Sequence, residues 1–180
     1  DANGENRLGR SGSAYVFDRA ADGSWTETTK LVASDRSTRD IFGVSVDISG
    51  NYIIVGAFWA EEEASGDEAG AAYVFKRSVG GTWSEKVKLV SGDLSGEDDF
   101  GLAVAIDGTD VFVGASGEDA DENNANTLSA AGSAYIHQLP ATVTWTGSTS
   151  SDWAEASNWD SNAVPTDEDH VVLTGTVLDH

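Results

Sequence analysis

Residues 14–57 of this chain recur almost intact 58 positions later. Ala14-Tyr15-Val16-Phe17 returns as Ala72-Tyr73-Val74-Phe75, and Trp25 as Trp83. Lys30-Leu31-Val32 returns as Lys88-Leu89-Val90, Phe42-Gly43 as Phe100-Gly101, and Val55-Gly56-Ala57 as Val113-Gly114-Ala115. A third tyrosine motif, Gly132-Ser133-Ala134-Tyr135-Ile136, follows Tyr73 by 62 residues rather than 58, so the loop before it carries four more. Self-similarity at a fixed period means modules that stack or circle, because one such unit cannot bury its apolar face alone.

Each unit reads as four short strands. Phe42–Ile48 alternates apolar with small or polar residues, and Gly50-Asn51 closes it. Tyr52–Val55 is a β-branched run of the kind buried on both faces. Ala71–Phe75 makes the third strand, and Gly80-Gly81 turns the chain into a fourth over Trp83–Val90. Asp22-Gly23, a strong hairpin signal, occupies that turn one repeat earlier. No helical apolar period persists for three turns, so the chain is all-β. Four-stranded antiparallel units of this size predict a partial β-propeller with one blade per repeat of about 58 residues. Residues 12–32 supply the last two strands of one blade, 42–90 a full blade, and 100–137 a third. The third lacks a Gly-x-Trp hairpin, so Ala141–Trp145, or a strand exchanged from a neighbour, is expected to complete it.

The paired Phe-Gly and Val-Gly-Ala segments resemble the FG-GAP repeat, which builds the propellers of integrin α-subunit heads and of many bacterial surface proteins. The Gly-Ser-Ala-Tyr strand is similar to the bacterial branch. The resemblance spans about residues 1–138, with Phe58 and Ser116 standing where the family has proline. It implies a non-catalytic repeat module of a secreted or cell-surface protein, acting as a scaffold or in adhesion, its partners another protein or a glycan. The integrin-type calcium loop Asp-x-Asp-x-Asp-Gly is missing between the first two strands, where Ser49-Gly50-Asn51 and Asp107-Gly108-Thr109-Asp110 stand. After Pro140 the composition shifts: Trp145, Trp153, Trp159 and Val164-Pro165 resemble the start of a Trp-rich β module of large secreted bacterial proteins. The domains are thus 1–138, propeller blades, and 139–180, an incomplete β module. Some forty residues seldom sustain a core unaided, so the natural chain is expected to continue past His180.

Ten basic residues face 31 acidic ones, a formal charge of −21, and no Lys or Arg follows Lys88. Nucleic acid needs a basic footprint and is excluded as a partner. So anionic a surface is relieved by salt or by divalent cations, conditions of a salty exterior. There is no cysteine, hence no disulfide or thiol chemistry. Apolar runs are too short for a membrane span.

The sharpest metal candidates lie in the loops before the tyrosine strands. Asp119, Asp121 and Asn123 place oxygens at alternate positions, as in the first half of a calcium loop. One repeat earlier Glu61, Glu63 and Asp67 belong to a stretch of five carboxylates in eight residues. Ca²⁺ is the expected cofactor. Asp40 and Asp98, each just before Phe-Gly, read as acceptors of backbone N–H groups at a turn. Trp25 and Trp83 read as partly exposed edge residues. No catalytic residue is singled out. Two other functions remain open: a structural subunit that polymerises into an extracellular filament or layer through its blade edges, and a fragment of a glycan-active enzyme.

Overall fold

A computed structural model describes residues 9–61, 68–78, 80–92, 96–119, 128, 131–140, 142–160, 163–165 and 170–173. The chain forms two compact units, Asp1–His137 and Gln138–His180. In the first, β1 (Ala14–Arg19) pairs with β2 (Trp25–Leu31). Next comes a four-stranded antiparallel sheet in the order β3 (Val46–Ser49), β4 (Tyr52–Ala57), β5 (Ala71–Arg77), β6 (Trp83–Leu89). The third sheet orders β7 (Phe100–Asp107), β8 (Asp110–Ala115) and β9 (Ser133–Gln138). These are a half-blade, a full blade and a three-stranded blade of a partial β-propeller.

The repeat holds at the level of single backbone angles. Gly43 and Gly101 have φ of 95° and 92°, Arg39 and Glu97 of 80° and 72°, and Ile41 and Asp99 of 54° and 58°. The β1–β2 and β5–β6 ladders also slip at the same place, between Val16 and Phe17 and between Val74 and Phe75. Equal offsets in sequence therefore produce equal geometry, down to the bulge.

The core lies where blade faces meet. Phe42 is buried against Tyr73 and Phe75, with ring centroids 5.5 and 6.1 Å away. Val16, Leu31 and Ala33 of the half-blade close over the same cluster. Phe100 repeats the wedge against Tyr135 at 5.3 Å. Beside each phenylalanine the backbones come close: a Cβ on Gly101 would lie 2.2 Å from the Ala71 carbonyl oxygen. A left-handed φ and that approach together demand glycine. This is the physical content of the Phe-Gly signature.

Three expectations are corrected. Phe42 does not begin β3: its N–H donates to the Ser11 carbonyl, it makes an isolated parallel bridge with Gly12, and the strand starts at Val46. Trp83 is buried beneath the half-blade, whereas Trp25 is exposed. Ala141–Trp145 does not complete the third blade. Instead β10 (Thr142–Trp145) pairs in parallel with β11 (His170–Leu173). The Trp145 side chain is engaged inside the second unit: it stacks on Trp153 at 5.3 Å and meets Trp159 edge-on at 5.0 Å. Buried Asn158 ties the surrounding loop, accepting from the Thr149 and Ser150 N–H groups and donating to Ser150 Oγ and the Asp152 carbonyl. Those aromatic and hydrogen-bond partners commit β10 to its own unit.

The tyrosines occupy one repeat position in different surroundings. Tyr73 is 1% exposed and Tyr15 49%, since among the described residues no blade precedes the half-blade to cover it. In dilute solution Tyr73→Ala should cost about 3–5 kcal/mol and Tyr15→Ala less than about 1 kcal/mol. Urea unfolding midpoints measure both, and equal losses would contradict the stacking of these blades.

Candidate functional site

Polar side chains knit each blade to the next. Asp18 pairs with Arg77 at 3.2 Å, Asp47 Oδ2 accepts from the Ile106 N–H at 2.8 Å, and Ser49 Oγ accepts from the Gly108 N–H at 3.0 Å. Each of these pairs is separated by 59 residues. Adjacent blades therefore pack one residue out of step. Sequence reading missed these ties; the available signal was a polar residue on a strand face one repeat from its partner's backbone.

A second group holds the linker after β2 onto the full blade. Glu85 accepts from the Ser34 N–H and hydroxyl at 2.9 and 2.8 Å. Asp35 accepts from the Tyr73 hydroxyl at 2.9 Å and from Lys88 Nζ at 2.7 Å. Burial opposes ionisation of Asp35, but the hydrogen bonds from Lys88 and Tyr73 outweigh it and hold the carboxyl below its usual range. Burial, with the Asp35 charge beside it, pushes the Tyr73 hydroxyl well up. Asp40 is buried and accepts from the Ser37 N–H, as expected; burial pushes its carboxyl up despite that bond.

The two blade junctions differ in charge. Around the first stand Arg10, Arg39, Ile41 and Phe58; their equivalents at the second are Glu68, Glu97, Asp99 and Ser116. The second junction opens as a cleft of about 590 Å³ with Glu68, Glu97, Asp98, Asp99 and Asp119 in its wall and Trp59 at one side. Asp99 Oδ2 accepts from Ser116 Oγ at 3.2 Å. Glu118, fully buried beside the cleft wall, accepts from the Tyr135 hydroxyl at 3.1 Å. The loop that follows is tied at its ends, Leu128 N–H to the Asp119 carbonyl at 2.7 Å and Gly132 N–H to the Glu118 carbonyl at 2.8 Å.

Of the six expected metal ligands, Asp119 lines this cleft, and Glu61 offers its carbonyl to Lys88 Nζ at 3.4 Å. Glu63, Asp67, Asp121 and Asn123 lie outside the described residues. The oxygen donors suit a hard cation. Among the described residues no three acidic or histidine side chains are grouped to hold one. No helix there is long and apolar enough to cross a membrane.

Stacked antiparallel sheets wedged by Phe-Gly define a propeller-type repeat protein. The FG-GAP repeat matches residues 25–75 and 83–137, more than half of the chain, and the protein belongs to that family. No match was found among curated proteins. FG-GAP repeats are generally non-catalytic and typical of extracellular and surface proteins.

Asp35 gives the site a measurable pH signature. Folding lowers its pKa, so its stabilisation is present above the ordinary aspartate value of about 3.9 and is lost as pH falls through the lower folded value. Asp40 runs the other way, favouring the folded state more as pH falls. Asp35→Asn should cost about 1 kcal/mol at neutral pH, a figure reduced for partial solvent screening, and progressively less in acid. Chemical unfolding of both proteins from pH 7 down to about 3 reads the difference. A gap that stays constant with pH would show that the carboxylate is not held by Lys88 and Tyr73.

Proposed function

We propose that this chain is a non-catalytic repeat module of a secreted bacterial surface protein, acting as a scaffold or in adhesion and stabilised by calcium. The observation that carries this reading is where the polar side chains are engaged. Asp18, Asp35, Asp47, Ser49 and Glu85 each bond to an adjoining blade or linker rather than converging on an open pocket. Such an arrangement fixes the spacing of blades, which is the work of a scaffold. Membership of a family typical of surface proteins supports the location. The partner is a protein or glycan met outside the cell.

Calcium fits the charge. Seventeen carboxylates follow Lys88 without a Lys or Arg among them, four of them at 118–122 in the loop before the third tyrosine strand, and five more stand at 61–68 before the second. Asp119, Asp121 and Asn123, with Glu61, Glu63 and Asp67 one repeat earlier, are the proposed ligands. An ion bound only by the folded state stabilises by RT ln(1 + [L]/Kd). At millimolar calcium and a Kd of about 10⁻⁴ M this gives about 1.4 kcal/mol per site.

Thermal unfolding in calcium, in chelator and in sodium chloride of matched ionic strength tests the cofactor. A higher Tm in calcium alone is expected; equal values, or an equal rise with either salt, would remove it. Incubation with polysaccharides tests the absence of catalysis, and release of new reducing ends would overturn it.

A further inference from the structure

At the first blade junction an amine, a carboxylate and a second, buried carboxyl come together from separate elements. Asp35 stands on the linker after β2, Lys88 on β6 and Tyr73 on β5. Lys88 Nζ lies 2.7 Å from Asp35 Oδ2, and the Tyr73 hydroxyl donates to the other oxygen, Oδ1, at 2.9 Å. The side chains of Lys88 and Asp35 are 22% and 28% exposed, so the pair is shielded yet open enough to release a water. The Glu61 carbonyl accepts from Nζ at 3.4 Å, and the Tyr73 ring centre lies 5.8 Å from it.

We propose that Lys88 and Asp35 condense to an intramolecular amide that staples the linker of the half-blade to β6 of the full blade. The step needs no cofactor and no oxidant. Within the ion pair a proton passes from Nζ to the carboxylate, and the neutral amine attacks Cγ. The tetrahedral carbon then expels one oxygen as water. One C–N bond forms and one C–O bond breaks. Of the three ammonium hydrogens one stays on the amide nitrogen and two leave with the water.

The neighbouring groups fit the step. The Tyr73 hydroxyl is already on Oδ1, where negative charge develops at the tetrahedral stage, and so acts as an oxyanion donor. Asp40 is buried and accepts from the Ser37 N–H, and the charges of Asp35 and Lys88 both act on it. Burial pushes its carboxyl up, which suits it to give a proton to the departing oxygen. Exposed Lys and Asp pairs do not condense, because their side chains wander and water holds their charges. Here Glu85 grips the Ser34 N–H and hydroxyl at 2.9 and 2.8 Å, which fixes the linker beside Asp35. Groups held in reacting contact reach effective concentrations of about 10⁵ M or more, far above what dilute amine and acid experience.

The opposing effect is the stability of the ion pair. Burial opposes ionisation of Asp35, but the bonds from Lys88 and Tyr73 outweigh it, so condensation is slow rather than immediate. The acid dependence derived above for Asp35 belongs to the chain before condensation. A staple between positions 53 residues apart closes a long loop and restrains the unfolded chain accordingly. It gives a chain without cysteine the kind of fastening that a disulfide gives others. The inference rests on contacts at one junction and not on where the module is displayed, so its failure leaves the scaffold reading intact.

The test is the mass of the whole chain, incubated overnight at physiological temperature and then unfolded in denaturant. Condensation lowers it by one water, about 18 Da. Tryptic digestion should then yield a branched peptide in which residues 31–36 are joined through Lys88 to the segment that begins at Val87. Lys88→Arg keeps the positive charge but not the amine, and should keep the full mass. Asp40→Asn leaves both reacting groups in place and should slow the loss of water roughly a hundredfold. The parent chain decides the amide by itself, whatever the stability of the variants. An unchanged parent mass overturns the proposal. So does a water lost instead at Asp22-Gly23 or Asp107-Gly108, where digestion would reveal a succinimide. An Asp40→Asn chain that condenses at the parent rate overturns the assignment of Asp40.

Discussion

At each blade junction a phenylalanine ring enters the core and the residue after it lets two backbones approach closer than any side chain permits. The ring supplies apolar burial and the glycine supplies proximity, and neither works without the other. Gly101 lies against the Ala71 carbonyl, which draws the start of β7 onto the start of β5 and seats Phe100 under Tyr135. The Phe100 N–H then donates to the Ala69 carbonyl, as the Phe42 N–H donates to that of Ser11. The sheets that follow inherit their spacing from this contact. The non-glycine residues Arg39, Ile41, Glu97 and Asp99, all at positive φ, show that the entry to the junction is held under strain in both repeats.

Charge is the force this packing must withstand. With 31 carboxylates against ten bases, the fold places several acids where N–H and O–H donors surround them. Asp47 on the Ile106 N–H, Glu85 on Ser34 and Asp35 between Tyr73 and Lys88 turn repulsion into ties between blades. Among the described residues the wall of the acidic cleft at the second junction holds no Lys or Arg. Its difference from the first junction, where Arg10 and Arg39 stand, shows that the repeat constrains backbone and core but leaves the rim free to diverge.

The blade fold was legible in the sequence because its determinants are local and recur. Alternation, the Asp22-Gly23 turn and the Phe-Gly pair each act within a few residues, and the 58-residue offset made them visible twice. What was not legible depended on the presence or absence of a neighbour. Tyr15 and Tyr73 share the segment Ala-Tyr-Val-Phe, and the covering blade separates them. Trp145 carries the same β-strand pattern whether it joins β9 or β11, and its stacking on Trp153 decides. The acidic loops were recognisable as carboxylate-rich, but Asp119 lies in a wall built also from Glu68 and Glu97, whose approach comes from the tertiary stacking of loops far apart in sequence. Asp40 was readable as a turn acceptor because its donor, Ser37, is three residues away.

The central claim is that blades pack face to face through a glycine-to-carbonyl contact at a fixed place in the repeat. Gly56 and Gly114 occupy that place on equivalent strands: a Cβ on Gly56 would lie 1.9 Å from the Gly101 carbonyl oxygen, whereas among the described residues one on Gly114 would come no nearer than 3.6 Å, to the Ala103 Cβ. Equilibrium unfolding of Gly56→Ala and Gly114→Ala, in dilute solution where chains are separate, therefore isolates the contact. The account predicts a loss of about 3 kcal/mol or more for Gly56→Ala and a change within about 0.5 kcal/mol, or a slight gain, for Gly114→Ala. Equal effects of the two substitutions would contradict it.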